Sequence, residues 1–338
     1  MMRSLLWTQF MTHRTGLRIL NATVGVEADS PRLLPQFPLK VEVPSLLTDF
    51  RNVLAVPYGR GFDGTIVLEQ TPSSGWLYRR AGRTARFRGP LLAAERKASD
   101  LRYGLWGNQG FLYRFVLFLL ELRHAVFSFH AAGLYDERRH TLYVVAGGAG
   151  SGKTVYLLSG LTRGLGLFST ETVHFRFEKR GVAWFKGSLV DNVRLGTLIQ
   201  DFPQFCPPDV ARLTGDEIWR KKIALDLGRH QSVQDILSSP DIVLIFPRIE
   251  AGRPGFVATP MDDRRTSAKA VFDNISQKVA ETFVLYDALA IPGFDSSGLA
   301  AARWRAAVSL IAHPATRTAV AVLSNPAQCW GDLTESQM

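Results

Sequence analysis

The chain has 338 residues, 46% of them hydrophobic, and a formal net charge of +10. That length and apolar content suffice for one large or two ordinary soluble domains, and the basic balance favours anionic ligands without naming one. The two cysteines, Cys206 and Cys329, stand far apart without C-x-x-C spacing, which argues against a disulfide framework and a thiolate metal site.

At the N-terminus, Met1-Met2-Arg3-Ser4-Leu5-Leu6-Trp7-Thr8-Gln9 lacks a continuous signal-peptide core, so cytoplasmic residence is expected. Residues 1–107 read as a β-containing accessory region, punctuated by Pro31, Pro35, Pro38, Pro44, Pro57, Pro72 and Gly75. Within it, 65–69, 76–80 and 84–88 read as a hairpin segment with a turn at Ala81-Gly82. This segment carries Arg79, Arg80, Arg83, Arg86 and Arg88, either a solvated face or a docking surface for an acidic peptide, a phosphate-bearing substrate or nucleic acid. No nucleic-acid-binding motif accompanies the cluster, and nucleic acid is not an expected partner.

Asn108-Gln109-Gly110 opens a helix with a broad apolar face of Leu112, Phe115, Val116, Leu119 and Leu122. It is too short to cross a bilayer and carries Arg114 and Glu121, so no membrane association is expected. Two strands are predicted next, at 125–134 and 141–146, joined by the polar turn Asp136-Glu137-Arg138-Arg139-His140.

The second strand runs into Gly147-Gly148-Ala149-Gly150-Ser151-Gly152-Lys153-Thr154, which fits G-x-x-x-x-G-K-[ST] without a mismatch. Glycines let successive backbone N–H groups turn inward around a polyphosphate, and the following helix aims its positive end at the same charge. Lys153 can reach the outer phosphates and the Thr154 hydroxyl can ligate Mg²⁺. Val155, Leu157, Leu158 and Leu161 continue at helical spacing until Gly164, giving the required order of strand, loop and helix. A nucleotide site for ATP with Mg²⁺ is therefore expected.

Beyond it the sequence predicts a strand near 165–170, a hairpin with Lys179-Arg180-Gly181 at its tip, a mixed region to about 238, and a buried strand at 241–246. Ala270, Val271, Ile275, Val279 and Val284 predict a helix over 267–288. Three acids could hold the hydration shell of Mg²⁺: Asp241 stands at the wrong end of its strand, Asp287 falls in the predicted helix, and Glu171 follows the strand after the loop helix. Glu171 is the favoured candidate.

The order Phe129-His130-Ala131-Ala132-Gly133-Leu134, the glycine loop, and then Leu167-Phe168-Ser169-Thr170-Glu171-Thr172-Val173 resembles the catalytic domain of the HPr kinase/phosphorylase family. The resemblance covers about residues 125 to 175, with a weaker echo at Phe246-Pro247-Arg248. It implies an α/β fold: a phosphoenolpyruvate-carboxykinase-like P-loop domain over 108–338, after the β-rich accessory region. It further implies ATP-dependent kinase activity, with γ-phosphoryl transfer to a serine of a protein or peptide or to a small-molecule alcohol, and a possible homo-oligomer. His130, Lys153 and Glu171 match catalytic positions. The loop residues and Arg248 match nucleotide-binding positions, and Thr154 and Glu171 match metal positions.

The sequence departs from the family at Thr170, where the first of two acids and presumed base would stand, and at Val155. A threonine cannot accept a proton at neutral pH. His130, His174 or Glu171 are the candidate replacement bases, and Lys222 and Arg248 the candidate phosphate clamps. The alternative is a catalytically impaired ATP-binding module that recruits a partner.

Overall fold

The computed structural model describes residues 12–35, 50, 53–148, 150–208, 210, 215–250, 257–323 and 330. Ala149, Cys329, Pro38, Pro44 and the Met1–Gln9 segment lie outside the described residues. The chain is a mixed α/β protein with several sheets, divided into two compact units, 1–125 with 278–295 and 126–277 with 296–338. The first unit thus extends past the expected boundary at 107.

The first unit begins with β1 (His13–Ile19), β2 (Ala22–Ala28), β3 (Val53–Val56), β4 (Gly64–Gln70), β5 (Leu77–Ala81) and β6 (Thr84–Gly89), in the sheet order β3-β1-β2-β4-β6-β5. The expected hairpin is β5–β6, whereas β4 pairs with β6 in parallel. After α1 (Leu91–Lys97) comes α2 (Phe111–His124), buried from Phe111 through Glu121 because it is apolar nearly all round. Its Phe111 and Phe115 rings stack on each other, Phe111 meets Phe87 edge-on, and Gly64 leaves room for Phe115 and Leu119. These contacts explain why α2 belongs with the first sheet. Three of the clustered arginines are engaged here: Arg80 lies over Phe118 and Phe294, Arg83 donates to the Asp63 carbonyl, and Arg88 pairs with Glu69.

The second unit takes, in chain order, β7 (Phe127–Asp136), β8 (Thr141–Ala146), α3 (Lys153–Thr162), β9 (Gly166–Ser169), β10 (Thr172–Glu178), β11 (Gly181–Phe185), β12 (Val190–Arg194), β13 (Lys222–Asp226), β14 (Ile236–Ser238), β15 (Asp241–Ile249), β16 (Val257–Pro260) and α4 (Arg264–Ala280). The chain then returns to the first unit for β17 (Phe283–Leu285) and β18 (Leu289–Ile291), and ends with α5 (Ser297–Ala312) and β19 (Thr316–Leu323) in the second. The main sheet has the order β14-β11-β10-β7-β8-β15-β19-β16, with β9 also on β7. Every residue of β8 is buried, as expected for a central strand covered on both faces, and β15 lies parallel to it. Tyr156, Leu157 and Leu158 of α3 pack with Val145 and Leu134 in one core, while Val271 and Ile275 of α4 join Val144, Phe129 and Trp184 in another.

One predicted element changes type. The helix expected over 267–288 ends at Ala280, and residues 283–285 form β17, paired antiparallel with β18. Tyr286 and Asp287 make the turn in left-handed conformations, φ 52° and 57°. Among the described residues, no helix is long and apolar enough to cross a membrane.

Candidate functional site

The glycine loop leaves the carboxyl end of β8, the edge of an α/β sheet where crevices for ligands form. Gly150 and Gly152 adopt φ 80° and 104°, open to glycine at little cost. A Cβ on Gly147 would stand 2.5 Å from Ser151 Oγ, so the loop closes on itself there. The Ser151 hydroxyl donates to the Gly148 carbonyl at 2.9 Å. Helix α3 starts at Lys153 with Gly152 as its cap, which brings no side chain to the first-turn amides, and the helix dipole is aimed at the loop.

Lys153 Nζ donates to the carbonyls of Gly147 at 2.8 Å and Gly148 at 3.1 Å, which ties the ammonium to the loop. Burial lowers its pKa; Glu171 and Asp191 oppose that shift, and Lys222 adds to it by like charge. Lys222 itself is exposed on β13. Thr154 Oγ1 donates to Asp191 Oδ2 at 3.1 Å.

Asp191 is the residue that motif reading missed. It lies in β12, 2% exposed, and its pKa is pushed up to about 7, chiefly by burial and further by the Glu171 charge, against the Thr154 hydrogen bond and Lys153. Its only signal in the sequence is an acid in a short β-branched run. Its position depends on β12 pairing with β13, Asp191 opposite Leu225.

Thr170 helps deliver it. The Thr170 hydroxyl donates to Val190 O at 2.7 Å and its backbone N–H to Ser188 O at 2.9 Å, so Thr170 is tied to the chain entering β12. Glu171 Oε2 lies 3.3 Å from His130 Nε2. His130 and Glu171 are thus brought together. His174 is not part of the site: it is fully buried, Nδ1 bonds Ser128 Oγ at 2.7 Å, and burial pushes its pKa down to about 3, which removes it as a base.

Arg248 stands near the carboxyl end of β15, next to Pro247, whose Cδ a Cβ on Gly147 would approach to 3.8 Å; its guanidinium is exposed and pairs with Glu250 at 3.2 Å. Asp241 opens β15, at the end away from the loop, as expected. Asp287 belongs to the first unit, where it accepts from the Ser99 N–H at 2.7 Å.

The residues present suit a hard cation with oxygen ligands: Thr154 and Asp191 touch, and Glu171 is close enough to perturb Asp191. Among the described residues no three His, Cys, Asp or Glu side chains converge to hold a metal by themselves. Mg²⁺ held by one or two carboxylates together with substrate phosphates needs no such cluster.

No family model and no curated protein matches the sequence. Among solved structures, the chain is similar to the Hpr(Ser) kinase/phosphatase from Coxiella burnetii, at 12% identity and a TM-score of 0.21, over 53% of this chain and 91% of that one. The relation is distant.

Proposed function

We propose that the second unit, read as a phosphoenolpyruvate-carboxykinase-like P-loop domain, binds ATP at the glycine loop and transfers its γ-phosphoryl group to a hydroxyl. The acceptor would be a serine of a protein or peptide, or a small alcohol. The observation that carries this reading is the Thr154–Asp191 contact beside Lys153, since a hydroxyl directly after the glycine loop and a buried carboxylate brought to it from β12 form a pair suited to the metal that phosphoryl transfer uses.

In this reading the loop amides and the first turn of α3 hold the phosphates, and Lys153 exchanges its bonds to Gly147 and Gly148 for the outer phosphates. Thr154 and Asp191 would hold Mg²⁺, with Glu171 close by; when bound, the ion neutralises phosphate charge. The acceptor oxygen forms a bond to phosphorus as the bond to the β-phosphate oxygen breaks and ADP leaves. The hydroxyl proton goes to the His130–Glu171 pair, which replaces the acid absent at Thr170. Lys222, whose charge reaches Lys153, and Arg248 would be the phosphate clamps.

The test is transfer of label from γ-labelled ATP to peptide and small-alcohol acceptors, with Lys153→Ala as control. Transfer lost in the variant supports a kinase. Mg-ATP affinity without transfer to any acceptor supports the binding-only module, which the loss of the first acid to Thr170 favours.

A further inference from the structure

At the amino end of β19 the sheet loses its edge strand. β19 starts at Thr316, but β16 pairs with it only from Ala319 to Val322, and the chain leaves β16 at Pro260 to enter α4 at Arg264. Helix α5 stops at Ala312, and the short turn from His313 to Ala315 leads back into β19. The start of α4, the end of α5 and the uncovered end of β19 enclose a cleft of about 420 Å³, within the range of small-ligand sites, about 300–1,000 Å³. Thr316 stands beside Ile242, and Ile242 beside Leu142, so the cleft lies at the edge of the sheet opposite the glycine loop, roughly 15 Å away along the strand direction.

Its walls are held by the protein's own bonds. Met261 N–H donates to Thr318 O at 2.9 Å, and Met261 O accepts from Ser267 Oγ at 3.0 Å and from Thr318 Oγ1 at 3.1 Å. In the turn, Thr316 N–H donates to His313 O at 2.9 Å and Ala315 N–H to His313 Nδ1 at 3.3 Å. A backbone N–H can only donate, so Nδ1 keeps its lone pair and Nε2 carries the ring hydrogen. Met261, Ile311 and Ala312 give the cleft apolar wall, and Arg264, Arg317, His313 and Asp262 also line it. The first turn of α4 supplies no anion site there, because Asp263 already accepts from Arg265 N–H at 3.2 Å and Thr266 N–H at 3.0 Å.

We propose that this cleft is a second binding site, for a small monocarboxylate with an apolar body. Two guanidiniums against one carboxylate leave one positive charge in excess. A single carboxylate neutralises that excess, whereas a phosphate dianion overshoots it and meets the charge of Asp262. Arg264 can take a carboxylate through both arms of its planar fork, and His313 Nε2–H adds a donor. The ligand's apolar body then leaves water against Met261, Ile311 and Ala312. The site is separate from the glycine loop and stands or falls without the kinase reading.

Benzoate is the probe, and the ¹³C-methyl resonance of Met261 in the full chain, assigned through Met261→Leu, is the reporter. Benzoate should move that resonance saturably. Benzamide has the same shape without the charge and acetate has the charge without the apolar body; each should bind at least about tenfold more weakly. Phenyl phosphate at alkaline pH should also bind more weakly than benzoate. Arg264→Gln should weaken benzoate about tenfold, and Ala312→Trp, which fills the cleft, should abolish the shift. Both substitutions fall at exposed positions, where the fold tolerates them, and Lys153→Ala should leave the benzoate response unchanged. A Met261 resonance that ignores benzoate, equal affinity for benzamide, or a response lost in Lys153→Ala and kept in Arg264→Gln overturns the site. Phenyl phosphate bound as tightly as benzoate overturns the choice of a monocarboxylate.

Discussion

The two flanks of the glycine loop hold their carboxylates in opposite ways. On the β12 flank, Asp191 is sunk to 2% exposure and faces Thr154, so its charge is costly until a cation offsets it. On the β7 flank, Glu171 keeps a side chain 21% exposed and faces a histidine that α4 holds in place. A buried acid against a hydroxyl suits a hard cation, and a partly exposed acid against an imidazole suits proton traffic. On the proposed reading the two acids therefore do separate work.

Substitutions can break that division. Lys153→Ala serves both flanks at once and should have the largest effect, lowering kcat/KM for transfer about 10²–10³-fold, measured by label incorporation. A loss under threefold would remove Lys153 from the chemistry.

Asp191→Asn should separate activity from stability. Transfer should fall about 100-fold, while the metal-free protein becomes more stable. The sign follows from the raised pKa. Folded Asp191 keeps a proton that the unfolded chain releases, so wild-type stability declines as pH rises from 3.8 toward about 7, and the full cost stands above that range. Denaturant titrations should therefore show a gain for the variant of roughly 2–4 kcal/mol at alkaline pH and little at pH below the unfolded value. An equal gain at both ends would mean that Asp191 is not the group responsible.

Thr170→Val tests the tie between the flanks. Removing the bond to Val190 O should cost about 1–2 kcal/mol of stability and weaken transfer less than Asp191→Asn does. An effect as large as that of Asp191→Asn would point to a direct role for the hydroxyl. Smallest of all, Arg248→Ala should change KM for ATP less than about threefold, because its guanidinium is solvated and already paired with Glu250. A loss above tenfold would make it a phosphate ligand.

The legible parts of this site were the contiguous ones. β8, the loop, α3 and β9 follow one another within thirty or so residues, and each announces itself by local pattern: a β-branched run, glycines, a helical period, a stop at Gly164, φ 83°. Glu171 was legible as a candidate because it follows that run directly, and His130 only through the family resemblance of the segment before it. Asp191 was not, because the β12–β13 pairing and the bonds from Thr170 to the chain entering β12 bring it to Thr154, 37 residues earlier. Asn274 and Gln277 of α4 bond His130 from 144 and 147 residues away, and the pattern of α4 advertises only its apolar face. The β17 error has a similar origin: Val271, Ile275 and Val279 set a four-residue period that Phe283 continues, so periodicity cannot see the helix stop at Ala280.

The most direct measurement is isothermal titration of the full chain with ATP in the presence of Mg²⁺, repeated with Lys153→Ala. The expected result is saturable 1:1 binding to the wild type, weakened at least tenfold in the variant. No heat of binding for the wild type, or equal affinity in the two proteins, would contradict a triphosphate held by this loop.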